Sequence, residues 1–145
     1  MNKQQFMAMS LPYGLKCKCI YEDEITVEIL SGCTCLEEQI MCEDYDGAIE
    51  NVLPVLHPFS DLTKEIEHNG EKFVPIDFLM ERYSLKIYQF INGEIYNTDY
   101  ARYVEIEELP FVVVMQLIEW YFDIAGLIEK GEAIDVNTLP KNPYK

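Results

Sequence analysis

The stretch LPFVVVMQLIEWYFDIAGLIEKG, residues 109–131, carries the strongest periodic signal in the chain. Its polar residues Gln116, Glu119, Asp123, Gly126 and Lys130 step by three, four, three and four. On an α-helix that spacing puts all of them on one narrow strip. Phe111, Val113, Leu117, Ile118, Trp120, Tyr121, Phe122, Ile124, Leu127 and Ile128 fill much of the remaining circumference. The pattern predicts one long helix buried in a core, with one edge touching water. Pro110 suits the first turn, where its missing N–H is not needed, and Glu107 and Glu108 lie at the positive end of the helix dipole. Gly131 suits a left-handed cap and Lys130 the last turn. Glu119 and Asp123 argue against a membrane span, because each would cost about 2.5–3.5 kcal/mol at a bilayer centre.

Working toward the N-terminus, Asn92-Gly93 stands between the apolar segments 85–91 and 94–97. Both residues tolerate positive φ, so the segment predicts a β-hairpin. Pro75 opens a helix whose Ile76, Leu79, Met80 and Tyr83 share one face. Ser60 or Asp61 can cap a second short helix ending at His68. Further back the period changes to two. Leu15, Cys17 and Cys19 alternate with Lys16 and Lys18, and Ile25, Val27 and Ile29 alternate with Thr26 and Glu28. Apolar residues 49–56 read as extended, with Pro54 favouring an edge or strand end. Short strands joined by short turns predict an antiparallel β-meander, either a curled sheet or a small barrel. Asn2 and Gln5 form a capping-box pair for a short N-terminal helix that Pro12-Tyr13-Gly14 ends. Pro140 and Pro143 predict an extended surface tail over 132–145. The fold class expected is α+β in a single domain over 1–145. It would be β-rich over 11–57 and helix-rich over 58–131, with two short helices, a β-hairpin and a long buried C-terminal helix.

The 145 residues are 49% hydrophobic, enough for a core without disulfide or metal staples. Twenty-six acidic residues against 11 basic give a net charge of −15. That balance disfavours a nucleic-acid backbone or an anionic membrane as direct partner, since both need clustered positive charge. It suits solubility, a basic protein partner, or mimicry of a nucleic acid toward a host DNA-binding protein. Five cysteines, an odd number, do not suggest a secreted disulfide framework, and no signal-peptide pattern opens the chain. The compartment expected is the cytoplasm, with reduced thiols.

The phrases SLPYGLK (10–16), SDLTKEIEHNGEKFVPI (60–76) and LIEWYFDIAGLIEKGEAIDVNTLPKNPY (117–144) resemble segments of small uncharacterised proteins of prophages and other mobile elements of gut anaerobes. The resemblance implies a mobile-element origin. That group has no established activity, so it supplies no catalytic residue.

Chemistry-bearing patterns are few. Cys17-Lys18-Cys19 and Cys33-Thr34-Cys35 form two Cys-x-Cys pairs, with Cys42 beyond. Cys17, Cys19, Cys33 and Cys35 on neighbouring strands are a candidate tetrahedral zinc set. Zinc ribbons space each pair by two residues, whereas one residue places both thiols on one strand face as small apolar filling. His57 and His68 lie in no metal-binding motif, and no P-loop, G-x-S-x-G or G-x-G-x-x-G occurs. No cofactor and no catalytic residue is therefore assigned. Tyrosine is concentrated instead: Tyr88, Tyr96, Tyr100 and Tyr103 fall close together with Phe90. Tyrosine gives large contact area with few rotatable bonds, so these five are the candidate partner-binding residues. The opposing reading has the rings closing the core over the hairpin. The function expected is a non-enzymatic accessory protein that binds a protein partner or itself. Its alternatives are a cysteine-dependent metal-binding or enzymatic protein and an acidic nucleic-acid mimic.

Overall fold

The computed structural model describes residues 1–22, 24–33, 39–43 and 46–145. Helix α1 (Lys3–Ser10) starts as its sequence predicts. The Asn2 side chain accepts from the Gln5 N–H at 2.9 Å, and the Gln5 side chain accepts from the Asn2 N–H at 3.0 Å. A 3-10 turn over Leu11–Tyr13 follows, and Gly14 takes the left-handed conformation that releases the chain into the sheet.

Strands β1 (Lys16–Tyr21), β2 (Glu24–Cys33), β3 (Gln39–Cys42), β4 (Asp46–Ala48) and β5 (Val52–Leu56) come next. Beyond them lie β6 (Ile66–His68), β7 (Glu71–Phe73), helix α2 (Pro75–Tyr83), β8 (Tyr88–Ile91), β9 (Glu94–Asn97) and β10 (Arg102–Val104). Helix α3 (Phe111–Glu119) and β11 (Ile134–Asp135) complete the order. The main sheet runs β11-β5-β1-β2-β3-β4. Its edges β11 and β4 are not paired with each other, so the sheet is open and the small barrel does not form. β10-β9-β8 form a second sheet and β6-β7 a third. The Asn92-Gly93 hairpin forms as expected, with φ of 52° and 81° at the turn. The helix expected over 60–68 is instead a 3-10 turn, Phe59–Thr63, followed by β6.

The long helix expected over 109–131 is the largest correction. Only nine residues are α-helical, and Tyr121 takes a φ of 62°, which ends the helix. Two competitors for the backbone explain the break. The His57 N–H donates to the Tyr121 carbonyl at 2.8 Å, and the Asp123 N–H donates to the His57 carbonyl at 2.9 Å. The Asp123 carboxylate then accepts from the Leu127 and Ile128 N–H groups at 2.8 and 2.9 Å. Aspartate in this role offers the backbone an alternative to helical bonding. A continued helix would spread Trp120, Tyr121 and Phe122 about 100° apart around its axis. The break instead buries all three.

Register corrects a second expectation. Ile25 and Val27 do not face the core: they are 61% and 46% exposed, whereas Glu28 and Leu30 are buried. β1 pairs with β2 so that Cys17 faces Glu28 and Lys18 faces Val27. Opposed residues share a sheet face, so the inward turn of Leu15, Cys17 and Cys19 puts Val27 outside with the lysines.

The tail is tied to the main sheet. β11 pairs in parallel with β5, and Tyr144 stacks on Tyr121 with ring centroids 4.3 Å apart. The Tyr144 hydroxyl donates to the Val55 carbonyl at 2.8 Å and accepts from the Lys16 N–H at 3.1 Å. Burial pushes the Tyr144 phenol well above its ordinary pKa. Tyr144→Phe is expected to cost about 1–3 kcal/mol in urea unfolding, because both backbone groups would lose a partner. A loss near zero would show that the tail does not hold the sheet. No helix among the described residues is long and apolar enough to cross a membrane.

Candidate functional site

A groove of about 600 Å³ opens between the β8–β10 sheet and the turn that follows α3. The broken helix makes it. Residues 123–130, which a continuous helix would carry away, fold back under Asp123 and form one wall. Ile124, Ile128, Phe59 and Ile106 give the groove an apolar surface, and Tyr103 stands on the opposite wall. Glu94, Glu105, Glu107 and Glu129 also line it, and Lys130 is the one basic side chain there. Lys130 donates to the Ala125 carbonyl at 3.0 Å.

The carboxylates differ in what they already bind. Glu105 caps the 3-10 turn Ile106–Glu108. Arg102 engages both Glu108 oxygens, at 2.6 and 3.2 Å, which neutralises the nearest guanidinium. Those bonds, followed by the Glu105 N–H, lower the Glu108 pKa. Among the described residues, Glu94, Glu107 and Glu129 form no ion pair. The groove is thus apolar within and negative at its margin.

The tyrosine-rich segment divides. Tyr88 is buried, and Phe90 is half-buried against Phe59 with centroids 6.3 Å apart. Tyr96 is half-buried and meets Tyr103 edge-on at 5.3 Å. Tyr100 and Tyr103 are 71% and 55% exposed, and Tyr103 joins the groove. Strand alternation holds, but Ile87 and Ile91 point outward and Tyr88 inward. The groove was not legible in sequence, because a helix over 109–131 would carry residues 123–130 away from Tyr103; Ile124 is in the core as that reading has it, and half-buried Ile128 packs against the core.

The cysteines meet differently from the expected set. Cys17, Cys19 and Cys42 are buried, and Cys19 Sγ lies 3.5 Å from Cys42 Sγ. The β2–β3 register shifts between Leu30 and Gly32, and thiols from β1 and β3 come together. Cys33 is half-buried, and Cys35 lies outside the described residues. The Cys17 thiol donating to Cys42 lowers the Cys42 pKa against the effect of burial. The bond to Cys42 and burial raise Cys17, and burial leads in raising Cys19. Among the described residues, no group of three or more His, Cys, Asp or Glu side chains is arranged to hold a metal ion.

A buried polar cluster escaped the sequence reading. His57 Nδ1 lies 3.2 Å from Asp61 Oδ2, Asn137 donates to the same oxygen at 2.8 Å, and Lys64 pairs with Oδ1 at 3.0 Å. Burial alone would raise the Asp61 pKa; the bonds from His57, Asn137 and Lys64 outweigh it and hold the group at about 2. The adjoining cavity measures about 80 Å³. That is room for two or three waters at about 30 Å³ each, not for a substrate. The cluster ties the end of β5 to the tail. His68 packs on Tyr121 at 5.2 Å, and burial lowers its pKa.

No family model, no curated protein and no solved structure matches this chain.

Proposed function

We propose that the chain is a non-enzymatic protein-binding module whose groove takes a basic segment of a partner protein. The observation that carries this reading is the groove itself. It offers about 600 Å³ with apolar walls, an exposed tyrosine and carboxylates that form no ion pair among the described residues, in a chain of net charge −15. An aliphatic or aromatic anchor would fill the apolar part, and flanking Lys or Arg would meet Glu94, Glu107 and Glu129. From the resemblance to mobile-element proteins the reading takes only the accessory role.

Selection from a random peptide library against the whole protein tests it. Enriched peptides are expected to carry Lys or Arg around an apolar anchor, and their affinity should fall as salt rises. The combined variant Glu94→Lys, Glu107→Lys, Glu129→Lys should weaken them at least about tenfold, or about 1.4 kcal/mol. Enrichment of acidic peptides, or equal affinity for the variant, would overturn the proposal.

A further inference from the structure

The outer face of the main sheet carries a second apolar surface, on the side away from the thiols. Lys18 opposes Val27 and Ile20 opposes Ile25 across β1 and β2, and Lys18 also opposes Leu53 of β5. Each opposed set shares one face. The tail meets this face at its base, where Lys16 Nζ donates to the Pro143 carbonyl at 2.8 Å. Beyond the base, Ile25 and Val27 are 61% and 46% exposed on the same face as the half-buried Ile20, and an uncovered apolar face of this kind is a candidate interaction surface.

Charge selects the occupant. Lys18 lies toward the base of the hairpin and forms no ion pair among the described residues. At the other end, Glu22 is exposed at the turn, in step with Lys18 and Ile20, whereas Glu24 opposes Tyr21 and belongs to the thiol side. The hairpin is therefore positive at one end, apolar in the middle and negative at its tip. A twofold axis lying across the strands sets Ile20 and Ile25 of one copy over Lys18 and Val27 of the other. It brings each Lys18 toward Glu22 at the tip opposite. Such a face is self-complementary, as a twofold interface requires. A uniformly acidic partner would suit Lys18 but repel the tip, and a uniformly basic one the reverse.

We propose that the chain forms a twofold homodimer by face-to-face packing of its β1–β2 hairpins, at the usual sheet separation of about 10 Å. Sedimentation of the full chain across micromolar concentrations tests this. A monomer–dimer equilibrium is expected. Val27→Glu and Lys18→Glu should each raise the dissociation constant at least about tenfold. Val27 is exposed and Lys18 half-buried, and circular dichroism should show the fold unchanged. Combining Lys18→Glu with Glu22→Lys should restore the dimer, a rescue that general damage to the fold cannot produce. A monomer at every concentration, a dimer indifferent to Val27→Glu, or a double variant no better than Lys18→Glu would each overturn the proposal.

Discussion

Replacing Phe122 with alanine is expected to lower the unfolding free energy by about 3–5 kcal/mol. Phe122 is fully buried, and its ring lies 5.4 Å from that of His57. Its backbone also bridges to His57 beyond the end of β5, so the ring closes the joint between the main sheet and the segment after α3. The void left behind would be lined by rigid backbone on one side, which limits collapse. Glu119→Ala, half-buried and accepting from Gln116 at 3.0 Å, should cost under about 1 kcal/mol. Asp123→Ala separates the broken helix from a continuous one. In a continuous helix Asp123 would sit on the wet strip and its loss would be mild. Here the Leu127 and Ile128 N–H groups would lose their acceptor, at about 1–3 kcal/mol for each buried group. Urea unfolding of the three variants provides the comparison, and an Asp123→Ala loss no larger than that of Glu119→Ala would mean the helix runs on.

Removing the Asp61 carboxylate is the second change expected to be severe. Asp61→Ala should cost about 3–5 kcal/mol, because breaking a buried polar pair leaves its partners unpaired. His57 and Asn137 carry most of this; the Lys64 side chain is 64% exposed, so its pairing is worth little. The same group predicts an acid limit. The carboxyl titrates near 3.8 in an unfolded chain and near 2 in the fold. A depressed carboxyl contributes stability that is fully present above its unfolded pKa and is lost as pH falls through its folded pKa. Between those values the unfolded state binds more protons, so stability on the order of 2 kcal/mol should disappear across that window. Asp61→Asn, which keeps the shape and cannot titrate, should lack this part of the pH dependence. Identical acid unfolding curves for wild type and Asp61→Asn would remove Asp61 from the account.

Neither change touches the groove or the hairpin face. Stability and binding are therefore separable here: the buried residues at 57, 61 and 122 hold the joint, whereas Glu94, Glu107 and Glu129 lie at the surface. Variants of the rim should alter affinity with little change in the thermal midpoint, since surface substitutions usually stay within about 0.5 kcal/mol.

Features decided by neighbours in the chain were legible in the sequence. Asn2 and Gln5 gave the first cap, Gly14 its release, Pro75 the start of α2 and Asn92-Gly93 the hairpin, because each acts through its own φ or through a bond to a residue a few positions away. Alternation in Leu15, Cys17 and Cys19 gave the inward face of β1 for the same reason. Alternation in Ile25 and Val27 did not, because a strand's period says that two faces exist and the register with β1 chooses between them. The segment 109–131 shows the limit most clearly. Its helical spacing is real, and α3 uses the first part of it. Where the helix stops depends on the His57 backbone, far away in sequence, bonding to Tyr121 and Asp123. Periodicity records which residues are apolar; it does not record a distant backbone competing for the same N–H and C=O groups. The groove exists because that competition succeeds, so only the tertiary structure could place Ile124, Ile128 and Glu129 opposite Tyr103.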